Sequence, residues 1–493
     1  VKGLAPLVIA SFDIECISVD SSFPQASRIT DKIISICTTF TKYGSDTIYK
    51  SSAISLDTCK QIPGAEVECY STEEDVLIAW SNLIEREDPD IVTGYNTFFF
   101  DNRYMHDRAN HPKINCLKKF SQLSRIKGHQ CKYEEKRLSS SGLGDNIMYL
   151  FNMIGRVQID LMKMVQQDHK LTSYKLDKVA ENFMKQKVSI IKLDSYNEKN
   201  KLYIYKIKTD LSKLIVSNYI KIEEDYIVDE EKIEIKAINP ETSEIEIHIE
   251  TEYFINSDAS HINICIVKDD MPIQELFDSY PKGPEERAKI NQYCIQDCAL
   301  VSKLLHKLDI VTTRMAMAKV SSVSLEYILM RGQGIKALSL FAKTYRKKGY
   351  LIRDLKPPEQ DPNNENKVGY EGATVLDPIK GFYTRPIAVL DFNSLYPNSE
   401  RAYDMSPENL VRDPQYEGID GYLFRPVEYA IKENGVEIGK EKCIFATPLT
   451  SLDECGRQKT YGIVGTILTD LLTARKVAKK KMKLKQNQLK KKI

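Results

Sequence analysis

An α/β fold interrupted by a β-rich insertion is the class that this sequence predicts, on three observations. The chain opens with an apolar stretch of strand length, Leu7–Cys16 (LVIASFDIEC). Short apolar runs then alternate with segments of helical periodicity as far as Val179, and helical periodicity returns at Glu285–Leu308. Between them, residues 188–270 change character to a strand-period alternation of Lys, Glu and Ile.

Taken in order, Leu7–Cys16 is predicted as a buried strand that ends in two acids spaced i, i+2. Asp13 and Glu15 therefore project from one face, with Ile14 turned away. Lys32–Thr39 (KIISICTT) reads as its β partner. Thr72–Arg86 has Val76, Leu77, Ala79, Trp80, Leu83 and Ile84 at helical spacing, with Thr72 as the N-cap. In DPDIVTGYNTFFFDNRYM, Ile91 and Val92 make a short strand, Gly94 allows a turn, and a helix starts near Asp101. Asn96 is expected to fix that turn by bonding backbone groups. Gly155–Val179 reads as a strand, a helix and a basic loop. Residues 188–270 are expected to form an antiparallel β appendage, polar on one face, with Asn239-Pro240 as a turn and no metal ligand of its own. In the helix at 285–308, Tyr293 and Asp297 fall i, i+4 on one face.

Bulk properties narrow the class. A chain of 493 residues implies two to four domains, and 42% hydrophobic with 28% charged residues is ordinary for a globular protein. No apolar run approaches a membrane span, so no membrane partner is expected. Eleven cysteines without a CxxC pair, and seven unclustered histidines, point to reduced intracellular thiols rather than disulfides or structural zinc. The net charge of +1 hides an acidic stretch at 222–250 and a basic end, Arg475–Ile493, that is either a solvated face or a phosphate-binding surface. The chain opens Val1-Lys2-Gly3 rather than with Met, from which we expect residues upstream.

Chemistry gathers in the acids. Neighbouring carboxylates repel unless a cation lies between them, and hard divalent ions take oxygen ligands. Singly, each of these acids fits a solvated strand end or helix face, and Tyr293 fits a core aromatic. In the order D-x-E, N-x4-D, Y-x3-D they suit a pair of Mg²⁺ ions about 3.5–4 Å apart, holding both sides of an in-line attack on phosphorus.

With these residues in view, the sequence resembles the proofreading 3′→5′ exonuclease of family B DNA polymerases, of the delta-like eukaryotic and large-DNA-virus type. SFDIEC, GYNTFFFD and YCIQDC are similar to its three exonuclease motifs, and PGAEVECYSTEEDVLIAW, GRVQIDLMKMV and SYKLDKVA to the text between them. The resemblance implies a ribonuclease H-like domain in which Asp13, Glu15, Asp101 and Asp297 hold two Mg²⁺ or Mn²⁺ ions and Tyr293 positions water, and it places Asn96 among the DNA-contacting residues. In the second half, MRGQGIK resembles the exit from that domain, and Tyr370-Glu-Gly372-Ala-Thr the boundary loop that touches DNA. GFYTRPIAVLDFNSLYPN resembles the palm strand, with Pro386–Leu390 a buried strand and Asp391 at its end, where a Mg²⁺ can bridge to triphosphate oxygens. The resemblance makes Ser394 and Leu395 phosphate-binding amides and Tyr396 a sugar gate; read alone, an aromatic there suits a core position as well. GTILTDLLTARKVAKKKMK resembles the start of the fingers, with Arg475 and Lys479 i, i+4 for gripping a triphosphate.

The implied domains are an exonuclease at 1–310 carrying the 188–270 insertion, a connecting helical segment and boundary loop at 311–375, a partial palm at 376–464 and the start of the fingers helix at 465–493. The implied partners are primer–template DNA, a single-stranded 3′ end, deoxynucleoside triphosphates and a sliding clamp, in a nucleus or viral replication compartment. No YGDTDS-like text supplies a second palm carboxylate, so a fragment with an incomplete polymerase site is expected. Ser399-Glu400-Arg401 is polar where the family continues apolar. A free-standing DNA or RNA exonuclease accounts for the four acids equally well, though not for DFNSLYPN, and a binding module with structural acids stays open.

Overall fold

The computed structural model describes residues 6–140, 144–211, 214, 219–224, 227–228, 231–250, 262–267, 271–352, 376–433 and 436–490. Tyr370 and Gly372 lie outside these. Two compact units result: residues 1–319 with 324–332, and residues 320–323 with 333–493.

The first unit begins with β1 (Val8–Cys16), β2 (Ile33–Lys42), β3 (Ile48–Leu56) and β4 (Glu66–Tyr70), then α1 (Glu73–Glu87). There follow β5 (Ile91–Gly94), α2 (Asp101–Ala109), α3 (Leu117–Phe120), a hairpin of β6 (Tyr133–Ser140) and β7 (Gly144–Phe151), β8 (Val157–Asp160), α4 (Leu161–Asp168) and α5 (Leu176–Phe183). The sheet order is β4-β3-β2-β1-β5-β8; β1, β2 and β3 run antiparallel, while β4, β5 and β8 join parallel to their neighbours. The opening strand is thus interior, flanked by β2 and β5, as its apolar run requires.

One face of that sheet packs on α1. Phe12 lies 4.9 Å from the Trp80 ring, and the buried indole N–H donates to Thr38 Oγ1 at 3.1 Å, so the bulky donor is satisfied. Thr72 caps α1 as its sequence implies, accepting from the Asp75 amide at 3.2 Å. The strands β3 and β4 and the β6–β7 hairpin are not expected from the sequence. In β3 the run SSAIS is small and largely polar, yet Ser52, Ala53, Ile54 and Ser55 are buried where the strand lies beside β2.

The insertion comprises β9 (Lys185–Asn197), β10 (Leu202–Thr209), β11 (Tyr219–Glu224), β12 (Ile227–Val228), β13 (Ile233–Asn239), β14 (Glu244–Ile249) and β15 (Ile262–Val267). It is antiparallel, as expected, but it is not an open sheet. The order β11-β13-β14-β10-β9-β15 closes because β15 also pairs with β11, making a six-stranded barrel from which β12 extends. Ile207, Ile220, Ile233, Ile245 and Ile264 are fully or almost fully buried in it. Closure removes the sheet edges, which accounts for strands this rich in isoleucine. The expectation of a surface appendage is also corrected. The barrel isoleucines run into one core with Leu161, Val165, Val179, Ala180, Met184 and Leu304 of the exonuclease-like part.

The unit closes with α6 (Ile273–Ser279), α7 (Pro284–Lys307), α8 (Ile310–Ser321), which ends in the other unit, and α9 (Leu325–Met330). α7 matches the helix expected at 285–308 and packs on β1, β2 and β3.

The second unit contains α10 (Gln333–Lys347), α11 (Leu395–Ala402), β16 (Leu410–Val411), β17 (Tyr422–Glu433), β18 (Val436–Pro448) and α12 (Ile463–Lys490), with the sheet ordered β16-β18-β17. Tyr345, Ile463 and Ile467 form its small core. The expected buried strand at Pro386–Leu390 is absent: this segment pairs with no described strand, and Val389 and Leu390 are 86% and 96% exposed. An apolar run becomes a buried strand only with hydrogen-bonded neighbours at its edges, and none of the described strands stands beside it. The polar triplet Ser399-Glu400-Arg401 falls within α11, where Arg401 donates to the Tyr461 hydroxyl at 3.1 Å.

Candidate metal centre

Asp13 and Glu15 lie in β1 opposite Cys37 and Ser35 of β2, all four on the face that α7 covers. Three contacts seat the helix there. Ser35 Oγ donates to Asn291 Oδ1, Cys294 Sγ to the Asp13 carbonyl at 3.6 Å, and Cys298 Sγ to the Cys37 carbonyl at 3.4 Å. Carboxylate oxygens of Asp13 and Glu15 and the Cys294 sulfur all lie within 4.8 Å of one another. Tyr293 and Asp297 flank Cys294 on the same helix, Tyr293 partly exposed and Asp297 buried.

Asp101, the first residue of α2, is 3% exposed and in side-chain hydrogen-bonding contact with Asp13. Burial pushes its pKa up to about 7; the charge of Asp160 adds to this, and hydrogen bonds from its own amide and from Ile14 oppose it. Its Oδ1 is buried without a hydrogen-bond partner. An orphaned acidic oxygen in contact with Asp13, whose carboxylate lies close to that of Glu15, is an acceptor that a divalent cation satisfies.

The turn that delivers Asp101 is held by a residue that the sequence reading did not single out. Asp160, fully buried at the end of β8, accepts from the amides of Asn96 at 2.9 Å, Phe98 at 3.1 Å and Met162 at 3.0 Å. It thus caps α4 and clamps the turn before α2. An acid immediately before the apolar run LMKMV was the available signal. Asn96 itself acts through its backbone, in the left-handed region at φ 62°, with its carbonyl accepting from Phe99 and Phe100. Gly94 is required here because a Cβ would come within 2.6 Å of the Phe12 carbonyl, one residue before Asp13.

A second brace joins α2 to the segment after β1. Arg108 is fully buried, donates to Glu73 at 2.8 Å and 2.5 Å, and also donates to the carbonyls of Ala26, Arg28 and Ile29. Glu73 in turn accepts from the Ile33 amide at 2.9 Å.

In the second unit Asp391 is exposed in a segment outside any strand or helix, and Ser394, at φ 54°, precedes α11. Leu395 and Tyr396 form the first turn of α11, with Tyr396 68% exposed. Arg475 and Lys479 sit one turn apart on exposed positions of α12. The start of α12 is firmly held: Asp404 accepts from the Gly462 amide at 2.8 Å, Glu408 from Ile463 at 2.5 Å and Ser406 from Val464 at 2.9 Å.

Comparison with known proteins agrees with this layout. Residues 1–179 match the family model for the DNA polymerase family B exonuclease domain, residues 172–311 that for the DNA polymerase family B viral insert, and residues 323–493 that for DNA polymerase family B. Asp13, Glu15 and Asp101 fall in the first match and Tyr293 and Asp297 in the second. A DNA polymerase of Pyramimonas orientalis virus is 36% identical over 485 residues, covering 97% of this chain and 37% of the relative. That of Acanthamoeba polyphaga mimivirus is 32% identical, covering 95% and 32%. The DNA polymerase delta catalytic subunit of Mesocricetus auratus is 27% identical, covering 100% and 34%. The chain therefore spans about a third of the length of these relatives. The three family models, which together leave only residues 312–322 unmatched, agree, and the chain belongs to DNA polymerase family B.

Proposed function

We propose that the first unit is a metal-dependent 3′→5′ exonuclease acting on the single-stranded 3′ end of DNA. The observation that carries this is the buried, unpartnered oxygen of Asp101 in contact with Asp13, whose carboxylate lies close to that of Glu15. Asp13, Glu15, Asp101 and Asp297 would hold two Mg²⁺ or Mn²⁺ ions, which supply the positive charge that an in-line displacement at phosphorus needs. The hydroxyl of Tyr293, a turn before Asp297, would orient the attacking water. Burial raises the Asp101 pKa, and a bound cation would favour its ionised form. The sheet order, with the acids on an interior strand flanked by one antiparallel and one parallel neighbour, supports a ribonuclease H-like reading.

Residues 1–310 form this exonuclease in our reading, 311–375 the connection, 376–464 part of a palm and 465–493 the start of the fingers. The match over 323–493 supports templated DNA synthesis by the protein, with Asp391 as a palm metal ligand, Ser394, Leu395, Tyr396, Arg475 and Lys479 as deoxynucleoside triphosphate contacts, and Asn96, Tyr370 and Gly372 as DNA contacts. A sliding clamp as partner, and action in a nucleus or viral replication compartment, belong to the same proposal, which the relatives named as viral DNA polymerases and delta catalytic subunits support. Among the described residues no helix is long and apolar enough to cross a membrane.

The test is digestion of a 5′-labelled single-stranded oligonucleotide in Mg²⁺. Asp13→Asn, Glu15→Gln, Asp101→Asn and Asp297→Asn are each expected to lower the rate by several orders of magnitude, because such a site works as a unit. An Asp101→Asn rate within a few-fold of the parent would overturn the assignment.

A further inference from the structure

Cys294 has no place in the reaction proposed above, yet its sulfur lies within 4.8 Å of the carboxylate oxygens of Asp13 and Glu15. Mg²⁺ is a hard ion that takes octahedral oxygen ligands and gains nothing from a thiol. Ions of the zinc and cadmium kind prefer thiolate, and zinc settles in tetrahedral sites with Zn–S about 2.3 Å and Zn–O about 2.0–2.2 Å, hence donors about 3.5 Å apart. Bringing the three donors to that spacing takes side-chain adjustments on the order of 1 Å.

A second observation points to a cation beside Asp13. Asp101, in contact with Asp13, has its buried Oδ1 unpartnered, an acceptor that a cation held there would satisfy. Three protein donors leave the fourth position of a tetrahedral ion to water. Cys294 Sγ would give up its bond to the Asp13 carbonyl at 3.6 Å on coordination. Cys37 Sγ, which donates to the Asn291 carbonyl at 3.5 Å, and Cys298 Sγ, which donates to the Cys37 carbonyl at 3.4 Å, do not fall in the set.

We propose that Asp13, Glu15 and Cys294 bind one thiophilic divalent cation of the zinc–cadmium kind, and that its binding shuts down digestion. This rests on the reading of Asp13 and Glu15 as cation ligands. The thiol gives up its proton to solvent on coordination. Because the set shares Asp13 and Glu15 with the Mg²⁺ site, the two ions exclude each other.

Cd²⁺ is the probe, read by the ultraviolet charge-transfer absorption of the Cd–thiolate bond as the chain is titrated. The parent is compared with Cys294→Ser and with Asp13→Asn/Glu15→Gln, which keeps the thiol. In parallel, Zn²⁺ is added to Mg²⁺-supported digestion by the parent and by Cys294→Ser, each scored against its own rate in Mg²⁺ alone. The first equivalent of the parent's absorption should be missing from both variants. The Zn²⁺ concentration that halves digestion should rise at least about tenfold in Cys294→Ser, the loss that even an outer-shell partner costs a metal site. An unchanged first equivalent in either variant, or unchanged Zn²⁺ sensitivity in Cys294→Ser, overturns the proposal. If Cys294→Ser does not fold, the acid variant decides alone. Should the parent fail to digest DNA at all, the exonuclease reading falls while the Cd²⁺ titration still decides this one.

Discussion

At the scale of single residues, the site depends on groups that never meet a substrate. Asp160 satisfies three amides at once, and its removal strands two of them in the turn that positions Asp101. Leaving buried donors unpaired costs about 1–3 kcal/mol each. Asp160→Ala should therefore lower stability by a few kcal/mol, seen in urea unfolding. It should also slow digestion more than Asp168→Ala, an exposed-pair control at the end of α4. Gly94→Ala tests the close approach on the other side of the turn. Its Cβ would sit 2.6 Å from the Phe12 carbonyl and 2.4 Å from a Thr97 methyl, so backbone must shift where Asp13 begins. Full activity and an unchanged melting temperature in Gly94→Ala would show that the turn is looser than the structure implies. Both residues were readable only in part. A glycine between strand and helix announces a turn, but which carbonyl it must clear is a fact about another strand.

At the scale of elements, α12 shows how a helix is started from outside itself. Its first amides are taken by Asp404, Ser406 and Glu408, and Glu408 also accepts the Tyr345 hydroxyl at 2.6 Å from α10. Burial alone would raise the Glu408 pKa, but the Tyr345 hydroxyl and the Ile463 amide outweigh it and hold the carboxyl below its ordinary value of 4.5. A depressed acid contributes stability above the unfolded pKa and loses it as pH falls through the folded one. Tyr345→Phe should therefore destabilise the second unit at neutral pH by about 1.5–3 kcal/mol, the range for a hydrogen bond to a charged group. That deficit should shrink as pH drops below about 4.5. A deficit constant from pH 7 to pH 3 would assign the loss to packing instead. The barrel makes a different element-scale point. Its Ile264 is fully buried in a core continuous with α5 and α7, so Ile264→Ala should cost about 2–5 kcal/mol and lower the unfolding midpoint of the first unit.

At the scale of the whole molecule, two compact units should unfold separately, and a cation bound only in the first should move only its transition. Calorimetry with Mn²⁺ against a chelator should show a rise in one transition, absent from Asp13→Asn/Glu15→Gln; a shift in both would argue for cation sites in both units. The sequence by itself determined the class, the interior opening strand, the long helix of Tyr293 and Asp297, the start of α2 at Asp101 and the antiparallel insertion. Each of these rests on a period carried by adjacent residues: two for a strand, 3.6 for a helix. Only the tertiary structure decided what lies across from them. It put Cys294 beside Asp13 and Glu15, set Asp160 beneath the turn, closed the barrel through β15 and β11, and left Pro386–Leu390 unpaired despite its apolar run. Those outcomes turn on hydrogen-bond partners and burial supplied by residues far away in the chain, to which no local period is sensitive.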